Sequence, residues 1–262
     1  MSNEYRKYLF NLRLNKFLII VAQILILLII LVGWQYMADK GYINVFITSS
    51  PKNIINTIIY LYKSNDLFNH IGITFLETLI SFLLGTIIGI VIAIILWYSK
   101  FIYKVIDPYL TIINSLPKVS LGPILIIWIG ANIKSIIVMA MLVSVIITIV
   151  TVYNGFVNTD YTKIRLLKSF GASKIQILRY LILPFNYPTI ISSLKINISM
   201  SLIGVIMGEL LVSKSGIGYL IMYGSQVFNL DLVMTGICIL MIFSYVMYLV
   251  ISYIEKILIK NN

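Results

Sequence analysis

The chain has 262 residues, of which 60% are hydrophobic and only 11% charged, where soluble domains carry about a quarter. A water-soluble fold of that composition could not clothe its own core, so the surplus apolar surface faces lipid; the length accommodates roughly five to seven transmembrane helices. The formal charge of +11 does not signal nucleic acid, because the basic residues sit between apolar runs rather than on polar faces with interleaved aromatics.

A basic lead, residues 1–16, carries Arg6, Lys7, Arg13 and Lys16 ahead of Phe17–Met37, 21 residues without a charge. That run exceeds the roughly 7–15 apolar residues of a signal peptide and closes on the interfacial aromatics Trp34 and Tyr36, so it reads as a retained span. Ile71–Tyr98 follows, with Glu77 its one charge. Pro108–Ile133 is less regular and holds Pro117, Lys118, Gly122 and Pro123. Its uncharged part, Val119–Ile133, is 15 residues, or about 22 Å at 1.5 Å per residue. That is short of about 30 Å of hydrocarbon, so residues before Pro117 must complete the crossing. Ser135–Phe156 and Leu232–Ile254 are uncharged, and Phe185–Leu211 is interrupted by Lys195 and Glu209. The expectation is an all-α membrane protein with about six transmembrane helices.

Orientation follows from the basic residues between spans. With the N-terminus inside, thirteen fall in inner segments: Arg6, Lys7, Arg13, Lys16, Lys100, Lys104, Lys163, Arg165, Lys168, Lys174, Arg179, Lys256 and Lys260. Lys40, Lys52, Lys63, Lys134 and Lys214 fall outside. Both termini are therefore expected in the cytoplasm. The lone Cys238 supports neither a disulfide framework nor a metal site, and His70 has no second His for a metal centre and reads as an interfacial residue.

The longest cytoplasmic loop, 158–184, is the informative segment. Ile164, Leu167, Lys168 and Phe170 mark one short amphipathic helix, which Gly171 ends. Ser173 with Gln176 forms a capping box for a second helix, whose apolar stripe is Ile175, Leu178, Leu181 and Ile182 and which Pro184 closes. Physics alone allows two readings: an amphipathic hairpin on anionic lipid, or a knob that inserts into a groove on a cytoplasmic partner.

Gly171, nine intervening residues and Leu181-Ile182-Leu183-Pro184 resemble the EAA loop of ABC-transporter permeases. This chain carries Arg165-Leu166-Leu167 where that pattern has E-A-A, and Leu181 in place of isoleucine. Asp107-Pro108, Leu116-Pro117-Lys118, Leu121-Gly122-Pro123 and Ile127-Trp128-Ile129-Gly130 are similar to the third span of the nitrate, sulfonate and taurine permeases. Ser192 to Lys195, Met207-Gly208-Glu209 and Ser215 to Leu220 match the same group, and His70 to Phe82 does so with Glu77 where an arginine is usual. The resemblance implies a type I, MetI-like permease domain over 17–262 in the plasma membrane of a bacterium. It implies a homodimeric pore, two cytoplasmic ABC ATPase subunits that hold ATP and Mg, and an external substrate-binding protein. The ATPase-docking residues it implies are Arg165, Leu167, Lys168, Phe170, Gly171, Ala172, Ile175, Leu183 and Pro184. This chain itself would bind no cofactor and catalyse nothing, as it has no G-x-x-x-x-G-K-[ST] phosphate loop. The expected cargo is a sulfonate-, taurine- or nitrate-like anion, with a thiamine-precursor pyrimidine or riboflavin as alternatives. From another class, an ion-coupled secondary transporter would use Glu77 and Glu209.

An ionisable group inside a span costs at least about 2.5–3.5 kcal/mol and so needs a reason. Glu77, Lys118, Lys195, Asn197, Ser201 and Glu209 are the candidate translocation-pathway residues. Lys195, near mid-depth, and Lys118, beside Pro117, either attract an anion or pair with a carboxylate, a carbonyl or the interface. Asn197, Ser199 and Ser201 either line the path or join helices.

Overall fold

The computed structural model describes residues 3–260, and among them there are helices, turns and no strand. In chain order the helices are α1 (Asn3–Asp39), α2 (Val45–Thr48), α3 (Pro51–Lys63), α4 (Asp66–Tyr98), α5 (Lys100–Ser115) and α6 (Gly122–Ile129). There follow α7 (Ile133–Val157), α8 (Tyr161–Ser169), α9 (Lys174–Ile177), α10 (Leu183–Phe185), α11 (Tyr187–Val212), α12 (Ile217–Gln226) and α13 (Leu230–Lys260). Among the described residues, five stretches are helical, long and apolar enough to cross a bilayer: Phe17–Asp39, Asp66–Tyr98, Ile133–Val157, Tyr187–Gln226 and Leu230–Leu258.

The sixth expected span is not one helix. Leu116 is extended at φ −67, ψ 136, as the ring of Pro117 requires of the residue before it. A 3-10 turn at Lys118–Leu121 follows, and α6 restarts with a proline in its first turn, where a missing N–H costs nothing. A crossing is nonetheless made here. α4 and α7 run parallel, as the contacts Gly85 to Ser144 and Gly89 to Thr148 show, so the chain between them must return to the end from which α4 started.

The core is α4, α7 and α11, packed through small residues. A Cβ at Gly85 or Gly89 would strike Ser144 or Thr148, and one at Gly204 or Gly208 would strike Ala140 or Ile136. In lipid, where hydrophobic association between helices vanishes, this close approach supplies dispersion contact instead. Phe82, Ile198, Met247 and Ile251 bring α13 onto the same core. α1 packs lightly on the bundle: Ile24, Ile29 and Val32 are all exposed, and near its end Lys52 N–H donates to Gln35 Oε1 at 3.0 Å. The helix takes in residues 3–16 of the basic lead, while residues 1–2 lie outside the described part.

Candidate functional site

Two features draw the eye to function, one at each end of the core. The first is the 158–184 loop. α8 begins on an Asp160 cap whose carboxylate accepts from Thr162 N–H at 2.8 Å and ends in a Schellman turn. Gly171 N–H donates to the Lys168 carbonyl at 2.9 Å and Ala172 N–H to the Leu167 carbonyl at 3.1 Å, with Gly171 at φ +78. The Ser173–Gln176 capping box forms in full.

Beyond it the structure departs from the expected stripe. The helix passes through a π turn at Leu178–Ile182, so Ile177 and Ile182, five residues apart, are both buried. Ile175 is 63% exposed; the widened turn moves it off the inner face. Nor does Pro184 close the helix: it sits in the first turn of α10.

The inner face roots the loop in the bundle. Ile177 and Ile182 pack with Ala93, Val152 and Phe156 of α4 and α7, flanked by Leu167, Ala172 and Leu183. At the base, Asn186 Nδ2 donates to Thr159 Oγ1 at 2.8 Å. The outer face carries Phe170, 78% exposed, with Ile175, among the exposed Arg165, Lys168 and Pro184. Arg165 lies over the Tyr161 ring at 5.7 Å, and Lys174 donates to the Tyr98 carbonyl. The loop thus presents an apolar tip on a fixed stem.

The second feature is a polar seam between α4, α11 and the start of α12. Glu209, 1% exposed, accepts from Thr74 Oγ1 at 2.6 Å and from Gly218 N–H at 2.6 Å. Thr74 Oγ1 accepts from Ile217 N–H at 2.9 Å, and His70 Nδ1 from Gly216 N–H at 2.9 Å. The orphan N–H groups that open any helix are here satisfied by three side chains from two other helices. Gly216, at φ +113, lies so close to Glu209 that a Cβ would be 2.3 Å from the carboxylate carbon. Glu77, 3% exposed, neighbours Glu209; among the described residues neither of its carboxylate oxygens has a hydrogen-bond partner. It lines a cavity of about 570 Å³ with Lys134 and Lys214.

The remaining expected pathway residues are not gathered there. Lys195 forms an ion pair with Glu255 of α13, whose other oxygen accepts from Ser192 Oγ at 3.0 Å. Along α11, Lys195 thus lies toward the opposite end from Glu209. Lys118 Nζ donates to the Asn114 carbonyl at 2.9 Å. Asn197 donates to Thr86 Oγ1, a bond between α11 and α4, while Ser201 Oγ is buried without a partner among the described residues. His70 is buried in the seam. Thr74 and Glu255 were missed by sequence reasoning. His70, Thr74 and Glu77 recur at helical spacing on one face, a signal that points to Thr74; nothing local points to Glu255.

A family model described as binding-protein-dependent transport system inner membrane component matches residues 85–260. A probable ABC transporter permease protein of Haemophilus influenzae is 29% identical over 235 residues, covering 90% of this chain and 95% of that one. A putative aliphatic sulfonates transport permease protein of Bacillus subtilis is 27% identical, covering 80% and 76%. A formylaminopyrimidine transport permease protein of Halalkalibacterium halodurans is 26% identical, covering 74% and 77%. Among solved structures, an inward-facing conformation of the MetNI methionine ABC transporter superposes with a TM-score of 0.64 at 20% identity, over 73% of this chain and 95% of that one.

Proposed function

Because the chain belongs to the binding-protein-dependent transport system inner membrane components, multi-pass transport subunits rather than enzymes, we propose that it forms the solute pathway of an ATP-driven importer. In this reading two copies make the pore, two ATPase subunits carrying ATP and Mg dock on the 158–184 loops, and an external binding protein delivers the solute. The observation that carries the docking role is the division of the loop's apolar residues. A hairpin lying on lipid would turn its apolar stripe to the bilayer. Here Ile177 and Ile182 are spent on the bundle, and Phe170 and Ile175 remain exposed at the tip. Pushing on such a tip moves α4 and α7, which line the core.

The test is uptake in proteoliposomes by the chain with its ATPase, with the binding protein added outside. Uptake should require both ATP and the binding protein. Uptake by the chain alone, driven by an ion gradient, would instead make it a secondary transporter using Glu77 and Glu209.

We place both termini in the cytoplasm on the charge asymmetry of the segments between spans. In a Cys238→Ser background, Lys174→Cys should react only with reagents that reach the cytoplasm and Ser215→Cys from outside. The reverse pattern at both sites overturns the orientation.

For the solute, the name of the Bacillus subtilis relative supports an aliphatic sulfonate. The lysines expected to attract such an anion, Lys195 and Lys118, are however engaged by Glu255 and by the Asn114 carbonyl. The pyrimidine alternative is favoured by the groove described next.

A further inference from the structure

At the end of the bundle opposite the 158–184 loop, α3, α4, α12 and the start of α13 enclose a groove of about 850 Å³. Two pairs of side chains, each one helical turn apart, line it. On α4 these are Asp66 and His70, whose i, i+4 spacing puts their Cβ atoms about 5–6 Å apart. On α12 they are Tyr219 and Tyr223, stacked with centroids 5.7 Å apart. The His70 ring continues the stack against Tyr219 at 5.8 Å.

Hydrogen-bond accounting shows which of these groups is unspent. His70 is 8% exposed, and its tautomer is set by the fold. Gly216 N–H donates to Nδ1, so the imidazole is neutral with its proton on Nε2. Among the described residues neither that N–H nor the Asp66 carboxylate has a hydrogen-bond partner, although both residues line the groove. Asp231, also in the lining, is already bonded to Ser49 Oγ at 2.6 Å and to Asn53 Nδ2 at 3.2 Å. What remains is one N–H donor, one carboxylate acceptor a turn away, and an aromatic wall. An anion would meet two carboxylates against the single basic side chain of the lining, Lys214.

We propose that this groove binds a planar heteroaromatic solute of the aminopyrimidine kind. Its ring nitrogen accepts from His70 Nε2–H, its amino group donates to Asp66, and its face stacks on the tyrosine wall. The proposal rests on the importer reading for where the solute goes next; the binding itself needs neither ATPase nor binding protein.

The test is calorimetric titration of the purified full-length chain with 4-aminopyrimidine and, separately, ethanesulfonate. The parent should bind the aminopyrimidine saturably and the sulfonate not at all. Asp66→Asn and Tyr223→Ala, both at exposed positions, should keep the parental thermal midpoint and weaken binding about tenfold each. No saturable aminopyrimidine binding by the parent, saturable ethanesulfonate binding in its place, or unchanged affinity in both variants overturns the assignment. The contrast between the two probes on the parent decides the matter even if a variant misfolds. Failed titration beside ATP-dependent uptake removes the groove and leaves the importer reading; the converse result does the opposite.

Discussion

Gly171→Val should strip the ATPase subunit from the purified complex while leaving the chain inserted in the membrane. The position is open: nothing lies within 4 Å of a Cβ built there, so the penalty is conformational rather than steric. At φ +78 an L-residue pays roughly 1–2 kcal/mol, and a β-branched one is a marked outlier. If the backbone relaxes, the Schellman bonds from Gly171 and Ala172 N–H are lost, at about 1 kcal/mol each. Either way Phe170 leaves its place above the stem. Copurification of the ATPase should fall by about tenfold or more. Gly171→Asn, which tolerates the left-handed region, should retain it. Equal copurification in parent and valine variant, with parental binding-protein-stimulated ATP hydrolysis, would return the loop to a lipid-surface hairpin.

At the other end, Gly216→Val should be the most destabilising single change in the seam. Its Cβ would fall 2.3 Å from the Glu209 carboxylate carbon on a backbone at φ +113, so relief requires moving the start of α12. That movement breaks the bonds to His70, Thr74 and Glu209 together, and each buried group left unsatisfied costs about 1–3 kcal/mol. The expected readout is a thermal midpoint lowered by several degrees and a poor yield of monodisperse protein. Glu209→Gln keeps an acceptor for Gly218 N–H and should lose less. A parental midpoint for Gly216→Val would mean that the seam does not hold α12.

The spans were legible because the signal for each is local: charge-free runs of sufficient length. The Gly171 stop and the Ser173–Gln176 box were equally readable, being short-range. Reading failed where a partner is distant or the helical period changes. Glu255 lies 60 residues from Lys195, and the Gly216 bond to His70 spans 146. No periodicity argument reaches that far. A winding of 3.6 residues per turn puts Ile175 on one stripe with Leu178, Leu181 and Ile182; the π turn leaves it exposed and buries Ile177 instead. Pro117 reads as a break in a crossing that the residues before it must complete, and the chain divides there into α5 and α6.

The π turn also sets a phase. Leu183 N–H donates to the Leu178 carbonyl, one residue farther back than an α-helix allows, so the segment holds a residue more than a regular helix of its length. Winding the same residues as a regular α-helix would rotate everything downstream by about 100° relative to the stem. Asn186 would swing away from Thr159, and α11, with Glu209 at its distant end, would begin on the wrong azimuth. The extra residue acts as the key in a shaft, fixing the angle at which the loop meets the core.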